Sequence, residues 1–341
     1  MIGWYVHHHG WGHVTRMQAI RPHIDDDVTV FSSLPQPASL PARTTWVQLP
    51  SDSEPVVGSD GVHREAHERG DVTAGGALHW APLRHPGHQA RLAAMADWVA
   101  VHPVSAFVVD VSVEVTILTR LLGVPTVVFA QPGDRTDAPH RLGYDLADRI
   151  LAPWAAGTIE ADGLADHDDR VHRVGAVSRY DGRDRDVDGR PDVDGDERRV
   201  LFLSRTLDAP RLAATIELLT ADGWIVDTAG AGDDDRVADV WPLLCRATVV
   251  VSAAGQNGIA DLAAAETRAL VIAQDRPFGE QEHTARVLAA LGLAVTVRED
   301  ATPTEVADGV RRAAAIAPGW QAWQATGAAA RAAAAIEEVA A

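Results

Sequence analysis

Short apolar runs alternate with longer segments of mixed character along this chain. In the first half, Ile2 to Val6, Val28 to Phe31, Trp46 to Leu49, Ala106 to Val109 and Thr126 to Phe129 have the length and β-branched content of strands. Near-continuous apolar stretches such as AFVV and PTVVFA suit strands covered on both faces, as in a parallel sheet. Between them, GHQARLAAMADWVAVHP and SVEVTILTRLLGVP read as helices stopped by proline or glycine. This alternation predicts an α/β fold with helices on both sides of each sheet.

The segment Arg179 to Arg199 has almost no apolar side chain and cannot offset the entropy of ordering from its own contacts. It reads as an acidic linker, 179–199, between an N-terminal domain, 1–178, and a second domain, 200–318. Past it the alternation restarts with Val200 to Leu203, Ile225 to Asp227, Thr248 to Ser252, Ala269 to Ile272 and Leu293 to Val297. The alanine-rich tail, 319–341, reads as a terminal helix from Trp320 onward.

Composition narrows the function. The chain has 341 residues, enough for two cores, and a formal net charge of -18, which repels nucleic acid and anionic lipid. No lysine is present, so all 30 basic residues are arginine, and Schiff-base chemistry and a lysine-bearing phosphate loop are excluded. The single cysteine, Cys245, lies in an apolar stretch and reads as a core residue. With no leader-like segment and no long uncharged apolar run, a soluble, cytoplasmic protein without a transmembrane segment is expected.

Candidate chemistry gathers in strand-to-helix loops, where open parallel sheets bind ligands. The first such loop is HHHGWGH. Gly10 and Gly12 let the backbone approach a ligand, and the helix they open offers free N–H groups. His13 starts that helix and suits a general base. Asp110, ending the strand AFVVD, is placed to orient it, and Glu114 is the rival for that role. In an extended strand His7 and His9 share one face and His8 the other, too few ligands for a metal site, and none is expected. Trp4, Trp11, Trp80 and Trp98 read as core rather than as an acceptor wall.

The second half carries VVVSAAGQNGIADLAAAETRALVIAQDRPFGEQEHTARVL. A buried strand ends at Ser252, and Gly255, Gln256 and Asn257 form a backbone cradle for an anion at a helix start. Asp261, one turn into that helix, suits ribose hydroxyls. Arg276, Glu280 and Gln281 crowd the next loop, and Ser204 with Arg205 suit a pyrophosphate.

Together, HHHGWGH and the block of about forty residues from Val249 resemble the GT-B glycosyltransferases, most closely family 28, the peptidoglycan N-acetylglucosaminyltransferase type. The resemblance implies two Rossmann-like domains facing across a cleft, with a C-terminal helix crossing back to the first. It implies an inverting, metal-independent transfer from a nucleotide sugar, a UDP-sugar such as UDP-N-acetylglucosamine, to a hydroxyl on a small-molecule, glycan or lipid-linked acceptor. No cofactor is implied, the nucleotide sugar being a co-substrate. By the same resemblance, His13 with Asp110 would serve the acceptor. Gly255 and the following N–H groups would hold phosphates, Asp261 the ribose, Glu280 and Gln281 the donor sugar, and Ser204 and Arg205 would face the pyrophosphate. Two alternatives share this layout. One is a nucleotide-sugar 2-epimerase, which needs no acceptor; the other is a non-catalytic sugar-nucleotide-binding protein, indifferent to loss of His13.

Overall fold

The computed structural model describes residues 1–58, 61–185, 197–203, 206–230, 237 and 239–341. Ser204, Arg205 and most of the acidic segment lie outside these described residues. The chain divides into two compact units. The first comprises Met1–Pro153, Ala161–Arg173 and Ala329–Ala341; the second comprises Trp154–Glu160 and Val174–Ala328.

In the first unit the chain runs β1 (Ile2–Val6), α1 (Gly12–Ile20), β2 (Val28–Ser32) and β3 (Thr44–Gln48), then a small hairpin of β4 (Val56–Val57) and β5 (His63–Arg64). It continues through α2 (Pro86–Val101), β6 (Ala106–Asp110), α3 (Val113–Leu121), β7 (Thr126–Phe129), α4 (Ala138–Leu146), β8 (Arg149–Ala152) and β9 (Val171–Arg173). Seven parallel strands pair in the order β3-β2-β1-β6-β7-β8-β9. Every residue of β1, β2 and β6 is buried, which explains why these strands read as unbroken apolar runs.

The chain leaves β1 toward β2 on one side and later returns to β6 on the other, so the loop after β1 sits where the strand order reverses. Pairing of β1 with β6 sets Val6 opposite Asp110. That pairing depends on Gly3, opposite Phe107: a Cβ there would lie 2.4 Å from the Phe107 ring.

The second unit holds β10 (Arg198–Leu203), α5 (Ala209–Ala221), β11 (Trp224–Ala229), α6 (Trp241–Arg246), β12 (Val249–Ala253), α7 (Gln256–Ala264), β13 (Ala269–Ile272), α8 (Glu280–Ala290), β14 (Val295–Val297) and α9 (Pro303–Ala314). Its five parallel strands pair as β11-β10-β12-β13-β14, so the loop after β12 again lies at a reversal of strand order. Val200, Phe202, Val251, Leu270 and Ile272 from the sheet pack with Leu219, Val306 and Val310 from helices. Cys245 is buried.

Several elements depart from expectation. The strands β8 and β9 go beyond the strands expected, being three or four residues long and bordered by arginine and histidine. The tail is not one helix: a short 3-10 turn, Trp320–Trp323, ends in left-handed backbone at Gln324 and Gly327 before α10 (Ala328–Ala340) begins. The first residues of the acidic segment are anchored rather than free. Tyr180 packs on Trp241, and Arg183 forks Asp239 at 2.9 and 2.6 Å. Among the described residues no helix is long and apolar enough to cross a membrane.

Candidate active site

The histidine loop closes a short turn after β1. Gly10 adopts φ +89°, a left-handed conformation that favours glycine, and no atom lies within 4 Å of where its Cβ would be, so backbone shape rather than close packing requires it. Gly12 is the first residue of α1, whose N-terminus has no side-chain cap. Burial and the neighbouring imidazoles hold His7 well below the usual histidine range, and burial pushes His8 down to about 4, so both are neutral at neutral pH.

His13 Nδ1 lies 2.9 Å from Asp110 Oδ1. Asp110 is fully buried at the end of β6. Burial alone would raise its carboxyl, but Arg16 and His13 hold it far below the ordinary carboxylate range. An ionised carboxylate at Nδ1 fixes the tautomer that leaves Nε2 unprotonated. Glu114, the alternative partner, is committed elsewhere: Oε1 accepts from the backbone N–H groups of His79 and Trp80 at 2.8 and 3.0 Å, and Oε2 accepts from Ser112 Oγ at 3.0 Å. Trp4 is core, stacked on Phe129, and Trp98 packs on Phe31, whereas Trp11 is exposed.

Elsewhere in the same unit, His79, Asp137 and His140 bring three potential ligand atoms together. His79 Nε2 is 2.8 Å from Asp137 Oδ2, and His140 Nδ1 contacts Oδ1 directly. A metal-bound imidazole normally donates its other N–H to an acceptor, yet Arg135 Nη1, itself a donor, stands 3.3 Å from His140 Nε2. Burial pushes His140 down to about 4, which suits a neutral ring accepting from Arg135.

In the second unit two loops are tied together by one side chain. Gln281, buried in the first turn of α8, accepts through Oε1 from the backbone N–H groups of Ala254 at 3.1 Å and Gln274 at 3.0 Å. Its carbonyl oxygen is therefore used in holding the loops after β12 and β13. Gly255 is the N-cap of α7 and has no side chain to cap it, and the helix starts at Gln256 and Asn257, where the sequence places the expected anion cradle. Glu280 opens α8, and Arg276 is exposed beside it, donating to Gln274 Oε1 at 3.3 Å. Between them, Phe278 and Gly279 both have positive φ, the strained backbone often found at ligand loops.

Asp261 is also turned inward. Its carboxylate accepts from Ser178 Oγ at 2.7 Å and Arg179 Nε at 3.1 Å, where ribose hydroxyls were expected. Burial pushes its carboxyl up to about 6, only partly opposed by Arg179 and Ser178. A carboxyl whose folded value is raised stabilises the fold while protonated, and that contribution fades as pH climbs from about 4 through 6. Asp261→Asn carries no such charge, so its stability relative to wild type should improve between pH 4.5 and 7.5 by about 2 kcal/mol. Chemical denaturation at the two pH values checks this; a difference independent of pH contradicts it.

Residues 238–339 match the glycosyltransferase family 28 C-terminal domain. Solved structures share the fold over nearly the whole chain. Acinetobacter baumannii MurG is 15% identical with a TM-score of 0.61, covering 99% of this chain and 99% of its own. CalG4, the calicheamicin glycosyltransferase, is 16% identical with a TM-score of 0.65, covering 99% and 98%. The chain has the GT-B fold, and its C-terminal part is similar to the glycosyltransferase family 28 C-terminal domain. Spinosyn rhamnosyltransferase SpnG, solved with thymidine diphosphate, is 16% identical with a TM-score of 0.59 over 100% of this chain and 95% of its own. No curated protein sequence matches it.

Two partners of the candidate residues escape a reading of the sequence. Arg16 follows His13 by three residues, hence on the same helix face, and that spacing is the available signal. Arg179 falls in the segment that composition marks as a linker, although its partner Asp261 stands on α7.

Proposed function

We propose that this chain is a glycosyltransferase that moves a sugar from a nucleoside diphosphate donor to an acceptor hydroxyl with inversion at the anomeric carbon. The observation that carries the reading is the His13–Asp110 pair, a buried carboxylate at one imidazole nitrogen that leaves the other free as a base. His13 Nε2 takes the hydroxyl proton as the oxygen bonds to the anomeric carbon. The bond from that carbon to the diphosphate oxygen breaks on the opposite side, and Asp110 stabilises the imidazolium.

Charge then accumulates on the departing diphosphate. The N–H groups at the start of α7, the loop arginine Arg276 and, outside the described residues, Ser204 and Arg205 are assigned to it, so the reading requires no divalent ion. Gly255, Gln256, Asn257 and Glu280 line the donor loops. The SpnG complex supports a nucleoside diphosphate in this fold, and the family resemblance favours uridine as its base.

Turnover tests this. Nucleotide release from UDP- or dTDP-sugars should require an added hydroxyl acceptor, persist after EDTA treatment and vanish in His13→Ala. Donor consumption without acceptor, or activity abolished by EDTA and restored by a divalent ion, would contradict it.

A further inference from the structure

Arg16 is a buried cation that the reaction as written does not use. Only 3% of its side chain is exposed. Its Nε donates to Asp110 Oδ2 at 3.1 Å and its Nη2 to Oδ1 at 2.5 Å, a two-pronged grip that guanidinium geometry allows and an ammonium does not. Nη2 also stands 3.2 Å from His13 Nδ1, and the guanidinium lies over the Phe129 ring at 4.8 Å. Asp110 Oδ1 therefore has two partners, the imidazole and the guanidinium.

That sharing has an electrical consequence. A carboxylate facing an imidazole alone would give its whole field to holding a proton on the pair. Here a permanent positive charge sits against the same oxygens, in a site dry enough for the charge to be felt strongly. The loop after β1 also brings His7, whose ring centre is 5.9 Å from that of His13, and His8 into this cluster, and Arg91 and Asp52 act on those rings from beyond. His7 and His8 are neutral rings at neutral pH, and Asp110 and Arg16 are the charges in direct contact with His13.

We propose that Arg16 is a positioning residue that holds Asp110 in register with His13 and, through its charge, keeps the pair free of a bound proton at neutral pH, so that the base is available. This rests on His13 being the base, as proposed above.

The test is kcat/KM from pH 5 to 9 for wild type, Arg16→Gln, Arg16→Lys, Asp110→Asn and His13→Ala, each with its melting midpoint. Arg16→Gln should move the acid limb up by about one pH unit, because the pair then keeps its proton to higher pH. Arg16→Lys should leave the limb in place while lowering kcat, since the charge stays and the grip is lost. In Asp110→Asn the guanidinium is unopposed, and the acid limb should move to lower pH. If Arg16→Gln does not fold, Arg16→Met decides the matter by the same shift of its acid limb, and the limb of Asp110→Asn reports the carboxylate's own share. A residue that only packs would lower the midpoint and leave every limb where it is, and unmoved limbs overturn the role given to Arg16. Full turnover in His13→Ala would overturn the base assignment beneath it as well, whereas an inactive His13→Ala with unmoved limbs overturns Arg16 alone.

Discussion

His13→Ala should lower kcat by about 10² to 10⁴-fold at saturating donor, the usual contribution of a positioned general base, with donor affinity unchanged. Asp110→Asn should fall in the upper part of that range or beyond, because an amide no longer fixes the imidazole tautomer and leaves Arg16 without its ionic partner. Donor affinity stays because both side chains belong to the first unit, whereas the loops proposed to hold the nucleotide belong to the second. Steady-state kinetics with donor and acceptor varied in turn check the split. A rise in the donor KM with kcat preserved would place His13 in donor binding and remove it from proton transfer.

Gln281→Leu should cost the fold about 2 to 4 kcal/mol and abolish stabilisation by nucleotide. The physical reason is that Oε1 accepts from two backbone N–H groups, Ala254 and Gln274, that open the loops flanking the start of α7. Leucine has similar volume but no acceptor, so both amides lose a partner in a buried place. The loops then lose the spacing that aims the N–H groups after Gly255 at an anion. Gln281→Glu keeps an acceptor oxygen and should recover most of the stability. Equal losses in the two variants would mean that packing, rather than these hydrogen bonds, holds the loops.

Much of this is legible in the sequence because parallel strands buried on both faces leave an unmistakable apolar signature, and the ends of such strands are where ligands bind. Asp110 is found that way: AFVVD closes an apolar run with a carboxylate at a strand end, and pairing with β1 carries it to His13. What escapes is side-chain direction. Asp261 and Gln281 stand at the expected places in the chain, yet both point inward, one to Ser178 and Arg179, the other to backbone amides. Spacing alone reports that a polar residue lies near a loop and leaves open whether it serves a ligand or the loop itself. Arg16 is missed for a related reason, since a lone arginine on a helix reads as a surface charge until the buried carboxylate beneath it is seen. The strands β8 and β9 are too short for their periodicity to register.

The central claim, that this chain uses a nucleotide sugar held by the loops after β12 and β13, is tested most directly by thermal unfolding with UDP, dTDP, GDP and UDP-N-acetylglucosamine, for wild type and Gln281→Leu. A nucleotide that binds only the folded protein, at about a hundred times its dissociation constant, adds about 2.7 kcal/mol. The account predicts that UDP or dTDP raises the wild-type midpoint and that neither raises it in Gln281→Leu. A wild-type midpoint unmoved by all four ligands would contradict it.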